Sequence, residues 1–140
     1  MADRMVFAAS AAFASMLVMD LPWVTLNTKM DLYKGHVNGV VTNRAAVGAL
    51  WVSIVLINAC LVAYIASTAS KWWTAMLASM FAGLAVYGTF NGTALVVCNS
   101  WPGKTAAGDT AWGIILFGVA GVAAYFAAHK GKPKAEEKTL

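Results

Sequence analysis

Four long apolar runs separated by short polar stretches make up most of this 140-residue chain. The first covers residues 5–26, and its uncharged part, Met5 to Met19, is only 15 residues long. A run that short raises the question of a cleaved signal peptide. A single Arg4 ahead of it, and Asp20-Leu21-Pro22 in place of a small-residue cleavage site, argue against one. The expected structure is a spanning helix that tolerates Asp20 near one end and is bent or ended by Pro22. The second run, residues 45–70, has 26 residues without a charge, more than the roughly 20 needed to cross about 30 Å of hydrocarbon. The third, residues 74–98, follows the basic and aromatic anchor Lys71-Trp72-Trp73. That tight connection predicts that helices two and three are antiparallel neighbours. The fourth run, residues 110–129, is again free of charge.

The connections are polar. Residues 27–44 carry two glycines and predict a short interfacial helix around residues 30–33. Residues 99–109 form the next loop, with a turn at Trp101-Pro102-Gly103. The predicted fold class is therefore all-α, an integral membrane bundle of four transmembrane helices with short loops. Residues 1–129 form the transmembrane domain, and residues 130–140 form a hydrophilic, Lys-rich tail.

Composition sharpens this picture. The chain is 60% apolar and 11% charged, against roughly 45–50% and about 25% in soluble domains. Its net charge of +4 does not point to nucleic acid, because the basic residues sit at segment ends and not along one face. Cys60 and Cys98 each lie within an apolar run and are expected to be buried packing thiols. Four spans place both termini on one side, together with Arg4, Lys71, Lys130, Lys132, Lys134 and Lys138. Only Lys29, Lys34, Arg44 and Lys104 fall on the other. The positive-inside rule then puts both termini in the cytoplasm or interior, in a bacterial inner membrane or a viral or host membrane.

Antiparallel order also gathers the polar residues. Asp20 and Trp23 end helix one, and Arg44 starts helix two. Asn91 and Thr93 lie late in helix three, Trp101 follows it, and Asp109 and Trp112 start helix four. All fall in the leaflet opposite the termini. Residues 87–113 supply half of this cluster.

These residues carry a resemblance. Asp20-Leu21-Pro22-Trp23, Tyr33, Gly35, the run Ala85-Val86-Tyr87-Gly88-Thr89-Phe90-Asn91-Gly92-Thr93, Trp101-Pro102 and Asp109-Thr110-Ala111-Trp112-Gly113 occur in order over most of the chain. The set resembles a family of small membrane proteins known as domain of unknown function 2177, with members in bacteria and in some large DNA viruses of algae. Where the family has a Tyr-Asp pair this chain has Phe90-Asn91, and Ala94 stands where an Asn is usual. A carboxylate and an amide are thus missing from any proton-relay or ion site there. The resemblance implies a four-helix membrane fold and carries over no activity.

Candidate chemistry is sparse. An ionisable group within a span costs about 2.5–3.5 kcal/mol at the centre and less near the end. Asp20 therefore reads either as a cation or proton site, or a partner of Arg44, or as a carboxylate at the interfacial end of its helix, hydrated or bonded to Trp and Thr side chains, that fixes helix packing; the last is preferred. Gly88-x-x-x-Gly92 makes a flat groove on helix three. It suits a homodimer, or, as preferred, internal packing against Ala8, Ala11, Ala12 and Ser15 of helix one. Asn91-Gly92-Thr93 matches a glycosylation sequon at membrane depth, and Gly103-Lys104-Thr105 lacks the rest of a phosphate-binding loop. His36 and His129 fall on opposite sides, so no metal site, cofactor or catalytic triad is expected. Asp20 and Asp109 share a leaflet, but two separate interfacial acids are the expected arrangement. Lys130, Lys132 and Lys134 meet the membrane surface, as a solvated anchor or as a contact for anionic headgroups.

These observations lead to the expectation of a non-enzymatic structural or accessory membrane component. Its partners would be the lipid bilayer and other assembly proteins or itself, with no nucleic acid. The alternative is a small-solute or ion transporter or channel with a polar pocket around Asp20.

Overall fold

The computed structural model describes residues 2–29, 44–97 and 101–130, with side chains placed for all of these except 2, 27–29 and 44–47. Four helices account for almost all of them: α1 (Ala2–Lys29), α2 (Arg44–Thr68), α3 (Trp72–Val97) and α4 (Gly103–His129). Each is long and apolar enough to cross a membrane. A helix is the form that satisfies every backbone polar group within one segment, which hydrocarbon demands. The interfacial helix expected at 30–33, Cys98 and the tail residues Lys132 and Lys134 lie outside the described residues.

The helices run alternately up and down. Met5 meets Ser67, Asp20 meets Trp112, and Asn91 meets Asp109, so α1 is antiparallel to α2 and to α4, and α3 to α4. The arrangement differs from the expected neighbours. The α3–α4 interface is the most extensive, α2 and α3 barely meet, and α1 and α3 share no interface among the described residues. The short α2–α3 turn makes these helices antiparallel without making them partners. What decides the packing is α4, which touches all three others. Its span is 44% buried, against 17–28% for the rest.

Small residues let α4 occupy the centre. A methyl group on Gly83 would fall 2.5 Å from the Gly113 carbonyl oxygen and 2.9 Å from Phe117 Cβ. One on Gly113 would overlap the Tyr87 ring, one on Gly121 the Ser79 hydroxyl, and one on Gly118 would sit 2.8 Å from Met80 Cγ. Backbones close enough to require this pack through dispersion, which drives helix association where lipid removes the hydrophobic advantage. The expected glycine face is not this one. Gly92 has nothing within 4 Å and Gly88 only ordinary contacts. They cannot line a contact with α1, because α4 stands between. Ala8 and Ala12 are fully buried, within a core shared with α2 and α4.

Three further expectations are corrected. Pro22 lies inside α1, which continues to Lys29, so it does not end the helix; its missing N–H removes the bond to the Val18 carbonyl. α4 begins at Gly103, directly after Pro102, which gives the first turn a fixed φ on its N-terminal side. The loop is shorter than hydropathy implied, because helix continues through polar residues once one side of it is buried, as Thr105, Ala106 and Asp109 are. Cys60 is exposed on the bundle surface, beside Ile57, which is 68% exposed. Val6, Val18, Phe81 and Val96 share that outward character, as a surface solvated by lipid requires.

Candidate functional site

Each helix carries a stripe of buried and half-buried residues at four-residue spacing, the spacing that keeps side chains on one face. On α1 it is Ala8, Ala12, Met16, Asp20; on α2 Trp51, Val55, Ala59, Ala63; on α3 Ala75, Ser79, Gly83, Tyr87, Asn91; on α4 Asp109, Gly113, Phe117, Gly121. Every stripe is apolar or small along its length and ends, at the end of the bundle away from the chain termini, in a group that hydrogen-bonds. Antiparallel order brings these four ends together.

The centre of the cluster is a reciprocal pair. Trp23 Nε1 of α1 donates to Asp109 Oδ1 of α4 at 3.3 Å, and Trp112 Nε1 of α4 donates to Asp20 Oδ1 of α1 at 3.3 Å. The two indoles stack at 4.7 Å between centroids and 9° between planes. Both halves have the same spacing, Asp-x-x-Trp, at residues 20–23 and 109–112. Because the helices run in opposite directions, each aspartate lies level with the other helix's tryptophan. The result is a clamp with approximate local two-fold symmetry.

Two extensions tie in the remaining helices. Trp51 of α2 turns its side chain to the Asp20 carboxylate. Asn91 of α3 donates from Nδ2 to Asp109 Oδ2 at 3.0 Å and to the Tyr87 carbonyl at 3.0 Å. Its Oδ1 accepts from Trp101 Nε1 at 3.2 Å. Both amide hydrogens and the carbonyl of Asn91 are therefore engaged. Asp20, Asn91 and Asp109 are 6%, 2% and 7% exposed, and Asp20 is bonded to Trp112, the second of the two forms expected for a packing carboxylate. Polar groups at membrane depth persist when other side chains satisfy them. Indole suits this role: its ring packs against apolar neighbours while its single N–H faces a carboxylate.

Among the residues expected at the site, Asp20, Trp23, Asn91, Asp109 and Trp112 come together. Asp20 and Asp109 belong to one network and are not separate interfacial acids. Thr93 is exposed and lies on the outer side of α3. Arg44 opens α2, with its side chain outside the described ones, so the expected pairing with Asp20 lies outside them too. Gly88 and Gly92 line a groove of about 450 Å³ between α3 and α4, whose inner wall includes Asn91. Trp51 was not among the expected residues, although its place four residues before Val55 was the available signal. The sequon at Asn91 is closed off by burial. No group of three or more metal-binding side chains occurs among the described residues.

The family model described as a predicted membrane protein, DUF2177, matches residues 5–126. That match covers all four ends of the stripes and the whole clamp. No curated protein and no solved structure matches the chain.

Proposed function

This chain belongs to the DUF2177 family of predicted membrane proteins, and from that premise we propose that it is a non-enzymatic structural or accessory component of a membrane assembly. The observation that supports this is the reciprocal Asp–Trp clamp. Its polar atoms point at one another across helix interfaces, which suits a brace that fixes the helices in one arrangement. The basic residues at the terminal end favour placing both termini on the cytoplasmic or internal side. Mild detergent extraction from native membrane tests the reading. The chain is expected as a fixed-stoichiometry part of a larger particle; recovery as a lone monomer would count decisively against it.

A second reading, as a small-solute or ion transporter, draws on Asn91. It lines the outer α3–α4 groove while donating to buried Asp109, and so offers a link from the surface to the carboxylates. Flux into reconstituted vesicles that is abolished by Asp20→Asn would support it. Unchanged flux, or none from the native chain, would eliminate it.

A further inference from the structure

The end of the bundle that carries the termini holds a different kind of surface. A cavity of about 430 Å³ opens between the first turns of α1 and the last turn of α4, lined by Asp3, Arg4, Phe7, Ala127, Ala128 and Lys130. Arg4 and Lys130 come from opposite ends of the chain and meet here because α1 and α4 are antiparallel neighbours. Phe7, 64% exposed, and Ala127 supply an apolar wall about one turn further along the helices. The lining thus changes from cationic to apolar along the helix axes, in the same order as a bilayer changes from headgroup to acyl chain. The volume lies within the roughly 300–1,000 Å³ of ordinary ligand pockets.

We propose that this cavity is a binding site for an anionic phospholipid. The phosphate sits between Arg4 and Lys130, and the start of an acyl chain lies along Phe7 and Ala127. Arg4 presents a planar fork that fits two phosphate oxygens, and Lys130 a point charge. Charge at the lining favours an anion, since Arg4 and Lys130 outnumber Asp3. The first turn of α1 adds the partial positive charge of its free N–H groups. A basic pocket between transmembrane helices at the basic side of a protein is the general form of a headgroup site. Free phosphate satisfies the cations but leaves the apolar wall uncovered, so the site is assigned to lipid.

The test uses the full chain in vesicles of phosphatidylcholine with and without phosphatidylglycerol, followed by native mass spectrometry of retained lipid. Phosphatidylglycerol is expected to be retained over phosphatidylcholine. Arg4→Gln and Lys130→Gln are each expected to lower its retention about fivefold, and Asp3→Asn is expected to raise it. The triple change Lys132→Gln, Lys134→Gln, Lys138→Gln separates this cavity from the tail and should leave most of the lipid bound. Excess inorganic phosphate should not displace it. Four outcomes would overturn the assignment: equal retention of both lipids, retention insensitive to Arg4→Gln and Lys130→Gln, loss on tail substitution alone, or displacement by free phosphate. Circular dichroism of each variant confirms that the helices are intact, and the gain expected for Asp3→Asn is not something misfolding produces.

Discussion

At the scale of single residues, the clamp assigns different roles to chemically similar groups. Trp23 and Trp112 each donate to a carboxylate on the other helix, and their rings stack. Replacement by Phe keeps an aromatic ring and removes the N–H. Interhelical hydrogen bonds in membranes are worth about 0.6 kcal/mol on average and up to about 1.7. Trp23→Phe and Trp112→Phe should each destabilise the bundle within that range. A double-mutant cycle measured by steric trapping should show coupling between them, because each ring orients the other; strict additivity would mean that the stack does not join the two bonds. Asn91 makes a sharper case. Asn91→Asp is nearly isosteric, yet it removes the N–H groups that reach Asp109 and Tyr87 and sets a second carboxyl against the first. A loss of about 1–3 kcal/mol is expected, read as a lower unfolding midpoint in detergent. An unchanged midpoint would show that the amide nitrogen has no part in holding Asp109.

At the scale of helices, close approach between α3 and α4 depends on glycine at specific positions. Gly113 faces the Tyr87 ring so closely that a methyl group has no room, and that ring in turn packs edge-on against Phe117 at 6.2 Å. Gly113→Ala should therefore separate the helices and cost about 1–3 kcal/mol, the usual penalty for overpacking. Gly92→Ala, where nothing lies within 4 Å, should leave stability unchanged. Comparing the two variants' resistance to denaturation by SDS checks this. A larger effect at Gly92 would mean that its open groove is filled by another helix in the membrane. Ser79, whose buried hydroxyl lacks a hydrogen-bond partner in the structure, illustrates the same pressure: close packing against Gly121 prevails there over polar satisfaction.

At the scale of the molecule, α4 is a central post surrounded by three helices whose outer faces meet lipid. Cys60 lies on that outer surface at the middle of α2, exposed from the bundle yet remote from water in a bilayer. In a Cys98→Ser background, a membrane-impermeant maleimide should leave Cys60 unlabelled in intact vesicles and label it after denaturation, since the reactive thiolate requires water. Rapid labelling in vesicles would place α2 outside the hydrocarbon, or against an aqueous channel as the transporter reading requires. The opposite ends of the bundle then divide the polar chemistry: a neutral-donor clamp around carboxylates at one, cationic groups facing the surface at the other.

Much of this was legible along the chain. Charge-free runs of membrane length follow from the cost of placing charge in hydrocarbon, a property of each segment alone, so the four spans, their alternating direction and the gathering of Asp20, Trp23, Asn91, Asp109 and Trp112 at one end can all be read from sequence. The boundaries were less so. Hydropathy stops at the first polar residue, whereas α4 runs on to Gly103 and α1 through Pro22, because backbone hydrogen bonding does not depend on side-chain polarity. Partner choice was not legible at all. Gly88-x-x-x-Gly92 has the better-known spacing, yet Gly83, Gly113, Gly118 and Gly121 make the close contacts, and Thr93 turns outward one residue past Gly92. Which small residues face another helix depends on the rotation of each helix about its axis, which is set by all of its neighbours at once. Sequence alone thus determined that this protein crosses the membrane four times with Asp20, Trp23, Asn91, Asp109 and Trp112 at one end. Only the tertiary structure decided that α4 is the centre and that two Asp-x-x-Trp segments close on each other, since both depend on distances between helices that no single segment encodes.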